Sequence, residues 1–517
     1  MVFSRGISLA LMLVGLAVLG RLLPPQVFGE FAVAVAIYGV AVTMTEFGLR
    51  QYLVSARDVD RETLESATGL SLAIALGVAA ILLLIGALGM SGILPLPGQA
   101  AGALVPLALA MPIGPVLLST EAMLQRDLDF RLIAWSEVVR TGVEVGTGIA
   151  LALAGYGAFA LASGTLISRV ALAGVVLGLA EGRGRMVRPR WNGWRRFFSF
   201  SGPMVTIQTL PGMVHLVLIS ALTGIAGAGF VGLLDRARTI QKILDRTLFE
   251  AINPVILPAM SASLAVGMEP LRLYRTQNDY LIAICWPAFA AIAVLADPLV
   301  MLLLGAQWSE IVPAVQALAL TGLALPYTKM TLKLYAALGM VSQYLWVQIL
   351  HQAVTLALVI PAGFFSLTAV CLAFSLGTIC KAICVTLVLR RRFGRLGRDM
   401  SISALLGAAL TLPAVVAAAG ALALQLPPLA TLMVAAPLGL LGWLGVIIVS
   451  RHPIAGELLG AIRAVRSASR LRPGRAAKVC YLRQNRKLCP ARPISSKPWA
   501  RMRRFSEAML RRSNRSR

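Results

Sequence analysis

Glu181–Pro203 reads EGRGRMVRPRWNGWRRFFSFSGP and sets Arg183, Arg185, Arg188, Arg190, Arg195 and Arg196 against one acid, Glu181. Long apolar runs lie on both sides of it. Between membrane spans, a short loop this rich in arginine is not translocated and stays on the cytoplasmic side. Placing this loop fixes the side of every other loop. It also divides the apolar part of the chain into two blocks of six segments followed by a final pair.

The 517-residue chain is 58% hydrophobic and 14% charged, against roughly 25% charged residues in soluble domains. A helical span needs about 20 mostly apolar residues, and in lipid the backbone must bond within a helix or a closed barrel. Barrel strands alternate over about 10 residues; the continuous runs here exclude that. The expected fold is an all-α polytopic membrane protein with about fourteen transmembrane helices: 2–22, 31–52, 68–89, 100–121, 133–154, 157–180, 203–223, 228–258, 280–303, 311–338, 342–361, 366–389, 401–422 and 428–450. Residues 1–180 form an N-terminal six-helix lobe, 181–202 a basic cytoplasmic linker and 203–390 a second six-helix lobe. Residues 391–450 hold the last two helices, and 451–517 a basic, disordered tail.

Loop charge follows this topology. Arg50, Arg57, Arg61, Arg126, Arg131, Arg272, Arg275, Arg390, Arg391, Arg392, Arg395 and Arg398 fall on the linker's side. Opposite loops such as 90–99, 361–366 and 423–429 carry no Lys or Arg. Both termini are therefore expected in the cytoplasm. The net charge of +26 resides largely in the tail, which has 19 Lys+Arg and 2 Asp+Glu from Arg451 onward. That is orientation charge and attraction to anionic phospholipid, with no nucleic-acid partner implied. Trp499, Met502, Phe505 and Met509 would let part of the tail lie on the inner leaflet. Cys285, Cys371, Cys380 and Cys384 sit in apolar runs as small hydrophobes.

The chain carries no phosphate-cradling glycine loop, HExxH or nucleophile elbow. Its outer loops, of about ten residues at most by the reading of 90–99, offer no catalytic domain. These features argue against an enzyme and imply no cofactor and no metal. The two blocks also share weak similarity: LLPPQVFGEFAVA (22–34) falls where LTGIAGAGFVGLL (222–234) falls, and 123–135 corresponds to 337–349. An even number of spans per block gives a parallel repeat, with a path between the lobes.

In order and spacing, RLLPPQVFG (21–29), LQRDLDF (124–130), AGYGAFAL (154–161), VILPAMS (255–261) and ADPLVMLLLGAQW (296–308) resemble landmarks of the polysaccharide-exporting, Wzx-type branch of the MOP superfamily. The resemblance covers about residues 1–450. It implies a V-shaped pair of six-helix lobes plus two helices in the bacterial inner membrane. It also implies flipping of an undecaprenyl-pyrophosphate-linked glycan, with glycan polymerase and export machinery as possible partners.

A charge at mid-bilayer costs about 2.5–3.5 kcal/mol on insertion scales, so charged residues inside spans should face water, substrate or one another. The eighth segment carries Asp235, Arg238, Lys242, Asp245 and Arg246 at three- and four-residue steps, with Arg236 at the border of that face. The fifth carries Glu137, Arg140 and Glu144, the tenth Lys329 and Lys333, and the sixth and twelfth Arg169 and Lys381. Arg140, Arg169, Arg238, Lys242, Lys329 and Lys333 are the expected pyrophosphate-facing set, since guanidinium and ammonium groups can replace the water an anion loses. Glu137, Glu144, Asp235 and Asp245 are the expected ion-coupling set. The bland alternative is mutual neutralisation, Glu137 with Arg140, Asp235 with Arg238 and Asp245 with Lys242. His215 and His351 read as packing residues. Two other functions stay open: a multidrug or cation antiporter of the same superfamily, favoured by acidic or aromatic cavities, and a non-transporting scaffold of a glycan-assembly complex, which would tolerate apolar replacement of these faces.

Overall fold

A computed structural model of the chain describes residues 2–46, 61–117, 130–181, 190, 195–249, 269–329, 331–393 and 397–450. Helix is the only regular structure among them. The tail expected at 451–517, the arginines at 50, 57, 126, 183, 185, 188 and 395, and the VILPAMS motif lie outside the described residues. Helices α1 (Val2–Leu22), α2 (Pro25–Glu46), α3 (Arg61–Met90), α4 (Ala100–Ala110), α5 (Phe130–Leu153) and α6 (Gly157–Glu181) make the first half. The second half begins with α7 (Arg195–Phe249), α8 (Pro270–Val294) and α9 (Ala296–Leu303). It continues with α10 (Val312–Ala319), α11 (Thr321–Lys329), α12 (Thr331–Ala337), α13 (Val341–Ala362) and α14 (Leu367–Phe393). Helices α15 (Gly397–Ala423) and α16 (Pro428–Val449) follow.

Ten helices among the described residues are long and apolar enough to cross a membrane, or up to twelve if each of two bent pairs counts as one span. Helix α5 is not among them; Glu137, Arg140 and Glu144 put three charges into it. Pro25 starts α2 six residues before the expected position, because a proline at the first helical turn costs no backbone bond and its φ is already helical. Helix α7 contains both the seventh and eighth expected segments, with the chain broken at Gly227 (φ 84°, ψ 169°). Glycine alone adopts that backbone conformation cheaply. The ninth expected segment is bent by 74° between α8 and α9, and the tenth by 45° between α10 and α11.

The most extensive helix pairing is α2 on the second part of α7, and it joins the two halves. A Cβ on Gly29 would overlap the carbonyl of Ala228, and one on Gly232 would overlap that of Pro25. The contact is reciprocal: each glycine faces the residue four positions before the other. Small residues let helix backbones meet this closely in a membrane. The two stretches aligned as repeats, 22–34 and 222–234, are thus the ones that cross. The reciprocity sets their register three residues from the alignment read in sequence.

The same end of the bundle is sealed by further contacts. Trp308 Nε1 donates to Gly20 O at 2.7 Å, joined by Gln307, and Arg21 Nη2 donates to Leu302 O at 2.9 Å. Phe28 meets Trp308 edge-on at 5.6 Å, and the two side chains are 1% and 0% exposed. Buried Glu30 accepts from the backbone N–H of Gln99 at 3.0 Å, just ahead of α4, where a helix start favours negative charge. The Gln99 side chain in turn accepts from the N–H of Ala158 at 2.9 Å, in the first turn of α6. In the basic linker, Arg190 N–H donates to Glu65 O on α3 at 2.9 Å. Trp443 Nε1 ties α16 to Ala283 O on α8 at 2.7 Å. Residues Met1–Val446 form one compact unit.

Candidate functional site

Two groups of charged side chains stand inside the bundle. The first lies in the N-terminal half, around a cavity of about 480 Å³ lined by residues of α2 to α6. Arg140 is held there by both acids of its own helix. Its Nε and Nη2 donate to Glu137 at 3.0 and 2.7 Å, and its Nη1 donates to Glu144 at 2.6 Å. Thr165 on α6 adds a longer bond to Glu144 at 3.4 Å. The Glu137–Arg140 neutralisation read from their spacing is therefore present, and it takes in Glu144.

Arg169 lines the same cavity. It lies over the ring of Tyr38 at 5.5 Å, and no ion pair to it is found among the described residues. The Tyr38 hydroxyl is buried without a partner. A buried hydroxyl left unmade costs about 1–3 kcal/mol, so a group that accepts its proton and offers charge to Arg169 satisfies both at once.

The second group follows α7 past Gly227. Asp235 pairs with its neighbour Arg236 at 2.6 Å rather than with Arg238. Arg236 in turn covers Phe28 at 4.2 Å. Arg238 lies over Phe374 at 4.4 Å and its Nη1 is 3.4 Å from His215 Nδ1. Lys242 is exposed, with no hydrogen bond or ion pair among the described residues. Asp245 pairs with Lys329 of α11, not with Lys242. Lys329 also lies 5.3 Å from the Phe249 ring. Lys333 lies in α12, its side chain outside the described set. Lys381 donates to Gln348 at 2.8 Å and lies over Tyr344 at 5.6 Å. His351 Nδ1 is 3.1 Å from Gly377 O, a bond between packed helices α13 and α14.

Among the described residues, an ion pair bridges the groups. Arg246 Nη2 on α7 reaches Glu137 Oε1 on α5 at 3.3 Å, with side chains 47% and 37% exposed. An exposed pair of this kind contributes about 0–1 kcal/mol.

Every carboxylate of the expected coupling set holds a base. Arg169, Arg238, Lys242 and Lys381 hold no carboxylate in the described structure. The charge left over is positive. It is distributed across both halves. The cavity described here is lined by residues of the first half. Tyr38, Phe374 and Arg236 are absent from the expected set. Arg236 was legible as a border residue of the charged face; the two aromatics carry no signal in sequence that separates them from packing residues.

Residues 18–313 match the model of a family described as polysaccharide biosynthesis protein. The chain is 25% identical over 330 residues to the succinoglycan biosynthesis transport protein ExoT of Rhizobium meliloti (strain 1021), covering 62% of this chain and 64% of that one. It is 24% identical over 328 residues to the lipopolysaccharide biosynthesis protein WzxC of Escherichia coli (strain K12), covering 61% and 64%. The chain thus spans less than two thirds of either relative. Among solved structures, the lipid II flippase MurJ in an inward closed conformation superposes with a TM-score of 0.67 at 12% identity, over 87% of this chain and 99% of that one. An inward-facing multidrug resistance MATE family transporter of the MOP superfamily gives 0.51 at 17% identity, over 75% and 93%. At such identities the likeness establishes the fold. The family match takes in more than half of the chain, including all five motifs between Arg21 and Trp308, and so the chain belongs to the polysaccharide biosynthesis protein family.

Proposed function

We propose that this protein carries an undecaprenyl-pyrophosphate-linked oligosaccharide, or a polysaccharide built from it, across the bacterial inner membrane by alternating access. It acts as a transporter and not as an enzyme. The observation that carries this reading is the set of bases without carboxylate partners, Arg169, Arg238 and Lys381, half-buried among apolar helices, with exposed Lys242 on the same helix as Arg238. A pyrophosphate must leave water without losing counter-charge, and these groups supply it, arginine with a fork that matches phosphate oxygens. The prenyl chain stays in lipid while the head group passes. Arg140, Lys329 and Lys333 complete the pyrophosphate-facing set, the first two after exchanging their present acids for the anion.

Fourteen crossings fit this reading if α5 and both parts of α7 each span and each bent pair counts once. Two six-helix lobes in parallel repeat, 1–180 and 203–390, then carry α15 and α16 beside them, with both termini cytoplasmic. Glu137, Glu144, Asp235 and Asp245 remain the candidates for ion coupling. Asp245 leads, because its Oδ1 is buried without a partner and has coordination capacity to spare. A cation antiporter fits less well, since all four acids are already matched by bases. The tail serves anionic phospholipid, and glycan polymerase or export machinery is the expected partner class.

A deletion strain tests the reading. Loss of the protein should trap lipid-linked glycan in the cytoplasmic leaflet, and the intact gene should clear it. Normal surface glycan and no trapped carrier in the deletion strain would reject transport in favour of the scaffold reading or another function.

A further inference from the structure

A second groove, of about 510 Å³, lies in the first half where α4 and α6 begin. Helix α6 runs from there to Glu181 and the basic linker, so the groove is at the end away from the linker. Met90, Gln99, Gly102, Tyr156 and Phe159 are among the residues that line it. Its volume falls within the roughly 300–1,000 Å³ of small-molecule sites. Buried Ala103, Leu104 and Ala162 pack between the groove and the cavity that Arg169 lines. The groove is therefore separate from the charged site.

Gln99 is held from two sides. Its backbone N–H donates to Glu30 at 3.0 Å, and its Oε1 accepts from the N–H of Ala158 at 2.9 Å. Glu30 is itself fixed by a bond from Gln26 at 3.2 Å. The Gln99 Nε2 group has no partner among the described residues. Helix α4 starts without a side-chain cap, so the N–H groups of Ala101 and Gly102 have no acceptor among them either. A Cβ on Gly102 would meet open space. Beside these donors the rings of Tyr156 and Phe159 stand 6.2 Å apart, tilted by 44°, and are 53% and 38% exposed. Unspent donors next to exposed aromatic faces match one chemical class. A saccharide ring offers hydroxyl oxygens at its rim and apolar C–H groups on its face. An acyl chain accepts no hydrogen bond. No Lys or Arg is among the described residues of the groove, so a pyrophosphate would find no counter-charge there.

We propose that this groove holds a saccharide ring of the glycan at the outer face of the membrane. Tyr156 and Phe159 cover the apolar side of the ring, and Gln99 Nε2 and the first N–H groups of α4 donate to its hydroxyls. The two parts of the substrate are then held by different chemistry, the anion by bases inside the bundle and the neutral sugar by rings and amides outside it. A glycan held there after crossing is kept from sliding back. This rests on the glycan substrate proposed above and adds a site for its uncharged part.

Saturation-transfer NMR tests this on the full chain in lipid nanodiscs, with methyl β-glucoside and methyl β-galactoside as probes and acyclic sorbitol as the control. At least one glycoside should receive saturation on its ring C–H protons, and sorbitol or empty nanodiscs should give none. Y156L/F159L keeps apolar side chains but removes both rings, and its signal should fall at least about twofold with the aromatic contacts. Y156F/F159Y keeps the rings and should keep the signal, which separates loss of the site from loss of the fold. The proposal is overturned if neither glycoside receives saturation from the protein, if sorbitol receives as much, if Y156L/F159L falls less than about twofold, or if Y156F/F159Y loses the signal. The deletion strain reads export and this experiment reads sugar binding, so either reading can fail alone.

Discussion

At the scale of the residue, Arg140 and Arg169 look alike in sequence and differ in their surroundings. Arg169 holds an aromatic ring and no acid, so its loss leaves no carboxylate stranded. R169A should fold normally and lose a charge-assisted bond of about 1.5–3 kcal/mol, roughly ten- to a hundredfold in export of surface glycan. R169K should retain part of it. Removing Arg140 strands Glu144 in a partly buried site and leaves Glu137 its longer bond to Arg246. R140A should therefore lower the amount of folded protein in the membrane, and the triple change R140A/E137Q/E144Q should restore the amount without restoring export. Fluorescence-detected gel filtration and glycan blotting separate the two effects. The residue types at these positions were legible in sequence because charge is rare in a span. Their partners were not. Asp235 took Arg236 in place of Arg238, and Asp245 took Lys329 from another helix, since pairing depends on side-chain reach and helix crossing as well as on face.

At the scale of the element, α2 and α7 are shaped by glycine. At Gly29 and Gly232 any side chain meets a backbone carbonyl that cannot rotate away. G29V and G232V should each destabilise the protein by about 1–3 kcal/mol, the cost of overpacking, read as a lower melting temperature. Gly224, also in α7, has open space around it. G224A should be neutral, or more stable by about 0.5–1 kcal/mol, because alanine orders more easily in a helix. If both kinds of change had the same effect, the crossing would not depend on close approach. Sequence began α2 six residues late, but it separated the seventh and eighth segments at 223 and 228, and Gly227 with its positive φ breaks α7 between them. The sequence reads α5 as a span from its apolar stretches, but with its three charges it is not among the described helices long and apolar enough to cross a membrane.

At the scale of the whole molecule, the distribution of arginine predicts which end faces the cytoplasm. The loop with exposed Phe364 and Phe365 lies at the glycine end, and exposed Arg391 closes α14 at the other. In a background without native cysteines, F364C should react with an impermeant maleimide added to intact cells. R391C should react only in inverted vesicles. The opposite pattern would reverse the topology and the direction of transport with it.

A helical membrane protein and its basic loops could be read from the amino-acid sequence alone, because apolar length and loop charge act locally on insertion. The sequence also determined the family, because the motifs keep their order along the chain. Only the tertiary structure decided which charges cancel and which stand alone, where a cavity opens and how the halves meet. Those depend on distances between side chains far apart in sequence: a carbonyl at 228 against a glycine at 29, and an arginine at 246 against a glutamate at 137.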